Sequence, residues 1–297
     1  MSIMLNLTHL RVLDAVARHG SVTKAAKELH YSQPSVSHHL GRLEAETGAR
    51  LVQRVGRGIR LTPEGELLAQ RASEIVGRVD AASVELAAQV GLRSGRVRLA
   101  GFQTVLSTIV PRAAAEMAEA YPGVELNLVD VHPVEGLRML RAGHVDVAVV
   151  FRHDDTPDED EELRLTYLLD DPLYLISQEP DQRLEDHRDS VWVGGCERCR
   201  AAMITVCERA GFTPRIAYST DDMVVIQSLV AAGMGVATLP GLALAAHRTR
   251  GVHATEIPGS TRHIYAVTYG EPPDPPATTA LIDTLKAAAQ SLTHQPA

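Results

Sequence analysis

Hydrophobic positions in the first ninety residues recur at helical spacing. Leu10, Leu13, Val16 and Ala17 make one stripe, Ala25, Ala26 and Leu29 a second, and Val36, Leu40 and Leu43 a third. Thr8 is placed to cap the first helix, with Leu7 and Val12 as a hydrophobic staple, and Gly20 stops it. Ser32 is placed to cap the third, and Pro34 fits its first turn, where an amide has no intrahelical partner. Val52, Ile59 and Leu61 then flank Gly56-Arg57-Gly58, a turn that reaches positive φ easily, and predict a β-hairpin. Next, Thr62, Pro63, Glu64 and Glu66 supply a cap, a first-turn proline and acids at the positive dipole end of a long helix. Along it Leu68, Ala72, Ile75, Val79, Ala82 and Leu86 alternate spacings of four and three, a coiled-coil seam. At 1.5 Å per residue such a helix is roughly 40 Å long and predicts pairing of two copies.

From Arg96 the pattern changes to strand, helix, strand. Val97, Leu99 and Gly101 predict a strand, residues 109–121 a helix, 124–129 a strand, 134–141 a helix, and the apolar run HVDVAVVF a strand buried on both faces. A second α/β unit starts near Tyr167 with LYLIS, VWVGG, a helix over 197–210, the strand RIAYS, a helix over 222–232 and the strand GVATLP. The chain returns through HIYAVTY and closes with a helix over 277–292. Residues 154–162, almost wholly acidic, predict a solvated loop.

Charge sharpens the division. The 297 residues carry a formal −8, yet residues 1–62 hold nine Lys/Arg against four Asp/Glu, a local +5 that leaves −13 on the remainder. A basic head on an acidic body suits a protein that touches phosphates with one end. With Val36, Leu40 and Leu43 turned inward, Gln33, Ser35, Ser37, His38, His39 and Arg42 face out, an array of hydrogen-bonding groups suited to a DNA major groove; Pro34 in the first turn, with Thr23 and Lys24 on the preceding helix, completes this set. A plain amphipathic surface helix has the same pattern. Arg54, Arg57 and Arg60 stud the hairpin, either solvated or holding backbone phosphates, with Arg57 at the tip in reach of a minor groove.

The segments LTHLRVLDAVARHGSVTKAAKELHYSQPSVSHHLGRLEAETGARLVQR and GRGIRLTPEGE resemble the LysR-type transcriptional regulators, and the rest of the chain follows that family's layout. The resemblance implies a mainly α winged helix-turn-helix over residues 1–62, a long linker helix over 63–93, and a C-terminal α/β effector domain over 94–297. That domain has two lobes, about 96–166 with 263–297 and about 167–262, resembling type 2 periplasmic binding proteins. It implies a cytoplasmic regulator whose partners are double-stranded promoter DNA, a second copy of itself in a dimer or tetramer, a small-molecule effector, and RNA polymerase. Neither a resident cofactor nor a metal is implied. Two departures stand out: Val52 replaces the family's usual phenylalanine before the wing, and His38 and His39 stand where arginine or glutamine often reads bases.

In open α/β sheets ligands bind beyond the carboxyl ends of strands, where helix N-termini offer amides. Those positions are Phe102, Gln103 and Thr104 after the first strand, Asp130 after the second, Phe151 after the third, Gly195 and Cys196 after VWV, and Asp222 after RIAYS. The resemblance singles out Thr104, since the family places hydroxyl residues there to meet an effector's carboxylate; helix capping is its alternative role. Asp130 and Asp222 would repel an anion and favour a polar or cationic effector. Cys196 and Cys199, with Cys207 further on, are either inert thiols, a redox pair at a helix N-terminus, or metal ligands that recruit His187 or His247. No run of about 18 apolar residues is long enough to cross a bilayer. A solute-binding protein with an N-terminal appendage is disfavoured by the arginine hairpin. An enzyme is disfavoured because no Walker loop, GxSxG elbow or HExxH motif occurs, so no catalytic residue is assigned.

Overall fold

The computed structural model describes residues 5–55, 58–89, 95–153 and 162–293. The chain falls into two compact units, residues 1–95 with 138–146, and residues 96–137 with 147–297.

In the first unit, α1 (Leu7–His19) is capped by Asn6, whose side chain accepts from the Thr8 amide at 2.8 Å, so the cap lies two residues before the expected Thr8. Asn and Thr are both good caps, and the earlier oxygen brings Leu7 and Thr8 into the helix. Ser21 caps α2 (Val22–Glu28) and Ser32 caps α3 (Gln33–Thr47), the latter through its hydroxyl at 3.2 Å from the Ser35 amide. Between them His30 takes a left-handed φ of 55° and lets the chain turn tightly. The three predicted stripes meet in one core with Leu51, flanked by half-buried Val52, Ile59 and Leu61. Strands β1 (Val52–Val55) and β2 (Gly58–Leu61) pair antiparallel with Val52 opposite Leu61. The hairpin's Gly56 and Arg57 lie outside the described residues. Val52 is a small residue for a wing plug, but its amide and that of Leu51 both donate to Glu44 Oε1, at 3.2 and 2.8 Å, which pins the strand to α3 by hydrogen bonds.

Helix α4 (Pro63–Gln89) begins where Thr62 Oγ1 accepts from the Gly65 amide at 3.0 Å. A Cβ on Gly65 would sit 2.0 Å from the Leu51 carbonyl oxygen, so this glycine is required by close backbone approach. Gly65→Ala is expected to destabilise the first unit by about 1 to 3 kcal/mol or more, read as a lowered thermal midpoint, because neither backbone can yield without breaking the core.

The coiled-coil seam divides. Ala69, Ala72 and Val76 are buried against the first unit's own core, whereas Ile75, Val79, Ala82 and Leu86 are exposed, Leu86 at 67 %. Ala72 therefore leaves the predicted seam because α4 also packs on α1.

After α4 the chain runs β3 (Gly95–Gly101), α5 (Gln103–Ser107), α6 (Ile109–Ala120), β4 (Val124–Asp130), α7 (Pro133–Arg141), β5 (Val147–Arg152), β6 (Leu163–Ser177), a short 3-10 turn at Leu184–His187, β7 (Val191–Gly194), α8 (Glu197–Arg209), β8 (Arg215–Ser219), α9 (Met223–Ala231), β9 (Ala237–Pro240), α10 (Gly241–Ala246), β10 (His253–Tyr269) and α11 (Pro276–Thr293); all of these belong to the second unit except Gly95 and the end of α7 from Arg138, which belong to the first. One sheet has the order β4-β3-β5-β10-β6-β9, with β3 and β5 parallel and β10 antiparallel to β5 and β6. The parallel pair β7 and β8 forms a second sheet, tied to Val236 before β9 by backbone bonds of 2.9 Å.

The boundaries expected at 166/167 and 262/263 fall inside β6 and β10, which pair from Leu163 with Tyr269 to Ser177 with His253. A strand that continues keeps its ladder bonds satisfied, and register shifts occur between Glu256 and Thr261 and between Ile264 and Tyr265. Of the acidic stretch, residues 154–161 lie outside the described residues. Among the described residues no helix is long and apolar enough to cross a membrane.

Candidate functional site

Two surfaces carry chemistry, one in each unit. On the first, Thr23, Lys24, Gln33, Pro34, Ser37, His38 and Arg42 are exposed on α2 and α3, and Ser35 is half-buried. Gln33 Nε2 donates to Thr23 Oγ1, so the two helices share one polar edge. Behind that edge Arg18 bonds Glu28 at 2.6 Å and Asp14 at 3.1 Å, bracing α1 against α2 and holding the Glu28 carboxyl below its usual range.

His39 departs from the expected face. Its ring is half-buried, 5.3 Å from His9 and 5.5 Å from Tyr31, and burial, then the nearby His9 and His38, lower its pKa. The cause is helical geometry: position 39 stands three after Val36 and four before Leu43, on the flank of the buried stripe. Arg60 is exposed on β2; Arg54 belongs to β1, and Arg57 lies outside the described residues.

The second surface is a cleft of about 390 Å³ within the second unit. All eight residues expected there line it: Phe102, Gln103, Thr104, Asp130, Phe151, Gly195, Cys196 and Asp222. At its base the sequence reading missed the central group. Arg262, on β10, is 4 % exposed at its side chain, donates from Nε to Asp171 Oδ2 at 2.8 Å, and donates from one terminal nitrogen to Thr104 Oγ1 at 2.8 Å. Its guanidinium carbon lies 5.1 Å from the Phe102 ring centroid and 4.8 Å from that of Phe151. Asp171 Oδ1 in turn accepts from the Leu242 amide at 2.9 Å, at the start of α10.

Thr104 therefore holds the arginine and does not cap α5, whose N-cap position is Phe102. Asp222 is the cap of α9, with Oδ1 accepting from the Val224 and Val225 amides at 2.8 and 3.2 Å, so one carboxylate oxygen is engaged by backbone. Across the rim, His132 lies 3.3 Å from Asp221. Phe102, Phe151, Met223, Ile226, Leu239 and Ala243 supply apolar wall. The cleft thus joins a neutralised buried ion pair, apolar sides and an acidic rim.

Cys196 caps α8, and its sulfur lies 3.0 Å from that of Cys199 and 3.4 Å from the Cys199 amide. That sulfur contact lowers the Cys196 pKa to about 6, while the same contact and burial raise Cys199. Cys207 is fully buried, which pushes its thiol up to about 12. His187 and His247 bond Ser190 and Thr249 at 3.1 Å, and among the described residues no group of three His, Cys, Asp or Glu side chains converges as a metal site.

The chain matches known regulators in sequence and in fold. Residues 7–66 match the bacterial regulatory helix-turn-helix protein, lysR family, and residues 91–290 match the LysR substrate binding domain. The chain is 32 % identical to the HTH-type transcriptional regulator YofA of Bacillus subtilis over 267 residues, covering 87 % of this chain and 90 % of that one. Its fold is similar to a full-length OxyR variant from Pseudomonas aeruginosa, with a TM-score of 0.75 at 22 % identity over 99 % of both chains. It is similar also to full-length CbnR complexed with its target DNA, with a TM-score of 0.66 at 22 % identity over 96 % of this chain and 100 % of that one. With a reading-helix unit at one end and a ligand-binding α/β unit making up the remainder, this chain belongs to the LysR family of DNA-binding transcriptional regulators.

Proposed function

We propose that the exposed edge of α2 and α3 reads promoter DNA while the hairpin holds phosphates, and that a small molecule in the Arg262 cleft alters the outcome at the promoter. Gln33, Ser37, His38 and Arg42 are the groove-facing groups, with Thr23, Lys24, Pro34 and Ser35 at the start of the contact and His39 as its inner support. Arg54, Arg57 and Arg60 hold backbone, and RNA polymerase is the downstream partner. The functional boundaries are a reading head over 1–62, a linker over 63–93 and an effector domain over 94–297. Two copies pair through the exposed stripe of α4, which sets two reading helices about one DNA turn, ~34 Å, apart.

The observation that carries the ligand reading is the buried arginine at the base of an open cleft. Burying an ion pair is costly and is seldom the most stable core, so its position beneath a cavity points to use. Arg262 and Asp171 cancel each other, and Asp130, Asp221 and Asp222 leave the rim negative. The effector is therefore a neutral or cationic molecule with an apolar body and a polar end that hydrogen-bonds Gln103, Thr104 or the Gly195 backbone. Its energy must differ between two arrangements of the protein, or it shifts nothing.

The test is a binding titration on the protein's own upstream region, with a thermal-shift screen of metabolites sorted by charge. Arg60→Ala is expected to weaken binding to all sequences and to lower the salt slope by about one unit. Gln33→Ala should instead relax preference at particular base pairs by ~1 to 3 kcal/mol each. An unchanged slope for Arg60→Ala removes the phosphate role, and thermal shifts confined to anionic metabolites overturn the charge assignment.

A further inference from the structure

The cleft wall contains a feature that DNA regulation by a bound molecule does not use. Cys196 and Cys199 occupy the N-cap and third positions of α8, both line the cleft, and their sulfurs are 3.0 Å apart. A disulfide needs a sulfur separation of about 2.05 Å, so closure asks for roughly 1 Å of movement by two side chains on the first turn of one helix. Both residues are partly accessible, whereas Cys207, further along the same helix, is sealed in the core. The pair is thus set apart from the remaining thiol by access as well as by distance.

We propose that Cys196 and Cys199 form a reversible dithiol–disulfide site that is oxidised by small disulfides entering the cleft. Cys196 is the attacking group: its sulfur accepts from the Cys199 amide at 3.4 Å and is the less buried of the pair. Its thiolate attacks one sulfur of a disulfide RSSR. That S–S bond breaks, a mixed disulfide forms on Cys196, and RS⁻ departs with the electron pair. Cys199 then gives up its proton, which the departing thiolate takes, and attacks the Cys196 sulfur, expelling the second RS⁻. Two cysteine thiols are oxidised by two electrons, and RSSR is reduced to two thiols once the second RS⁻ is protonated from water.

The surroundings favour this oxidant class. A cleft of 390 Å³ admits a whole organic disulfide, and the leaving thiolate needs no acid to assist it. Asp130, Asp221 and Asp222 at the rim disfavour anionic disulfides and leave neutral or zwitterionic ones. Cys196 also has a depressed pKa, near the value at which a thiol is largely ionised yet still nucleophilic at neutral pH.

Full-length protein, reduced and freed of reductant, is incubated with hydroxyethyl disulfide or with cystine, and its thiols are counted and mapped by mass spectrometry after denaturation. The expected result is loss of two of the three thiols, a peptide linking Cys196 to Cys199 with no adduct, and full reversal by dithiothreitol. Cys199→Ser should stop at one mixed disulfide on Cys196, and Cys196→Ser should not react. Should either variant fold poorly, the wild-type protein supplies an independent reading: its iodoacetamide alkylation at Cys196 rises with pH around a midpoint near 6, not near the usual 8.5. Three thiols left free, a persistent mixed disulfide in the wild type, or a bond to Cys207 would each overturn the proposal. Since the readout is thiol state alone, it is separable from whether any effector binds the cleft.

Discussion

Arg262→Met is expected to cost the second unit about 3 to 5 kcal/mol, because it leaves the Asp171 carboxylate buried without its cation. Asp171 is 1 % exposed at its side chain and keeps the Leu242 amide as a neutral partner. Thr104, in turn, loses its donor, and Phe102 and Phe151 lose the cation between their rings. The double replacement Arg262→Met with Asp171→Asn should recover most of the loss, since an amide oxygen still accepts from Leu242 and no charge is stranded. Urea unfolding of wild type, single and double variants measures this directly. A double variant no more stable than Arg262→Met alone would show that packing, not the stranded charge, sets the cost. Both variants should also lose any thermal shift produced by an effector, the double one while folded, which separates ligand loss from unfolding.

Why Arg262 escaped the sequence reading is instructive. The carboxyl ends of strands and the helix starts that follow them point to eight cleft residues, and all eight line the cavity. Arg262 lies inside a long antiparallel strand, where alternation gives it the same weight as any inward-pointing residue of β10. Nothing local marks an arginine as buried; only its partner Asp171, 91 residues earlier on the neighbouring strand, makes burial tolerable. The lobe boundaries at 166/167 and 262/263 likewise fall within β6 and β10, whose continuity depends on each pairing with the other. His39 is the opposite case: its i+3 and i−4 relation to Val36 and Leu43 lies in the sequence, and assigning it to the outer face overlooks that this relation puts the ring on the flank of the buried stripe. The helical stripes of the first unit were legible because each is set by near neighbours, as were the caps at Ser32 and Thr62.

Ile75→Glu combined with Val79→Glu is expected to leave the chain monomeric and to reduce operator affinity by about 10²- to 10⁴-fold, the gain that linking two binding modules supplies. Helix α4 presents two different faces. Ala69, Ala72 and Val76 close the core beneath α1, so they cannot also face a second copy. Ile75 at 40 % and Val79 at 38 % exposure stand on the other side, in line with Ala82 and Leu86 at spacings of four, three and four. An apolar line of that period on an exposed helix asks for a matching line, and a second copy of α4 provides it. Two glutamates there would place like charges against each other across the pair and strand them in an apolar seam. The single chain should tolerate them, because both positions already meet solvent, so the thermal midpoint of the first unit serves as the control for folding. Sedimentation velocity reads the assembly state, and titration against a full operator and against one half-site reads the affinity. The loss should appear on the full operator and be small on the half-site. A double variant that remains dimeric would assign pairing to another surface, and a monomer that binds the full operator as tightly as wild type would remove the need for two reading heads.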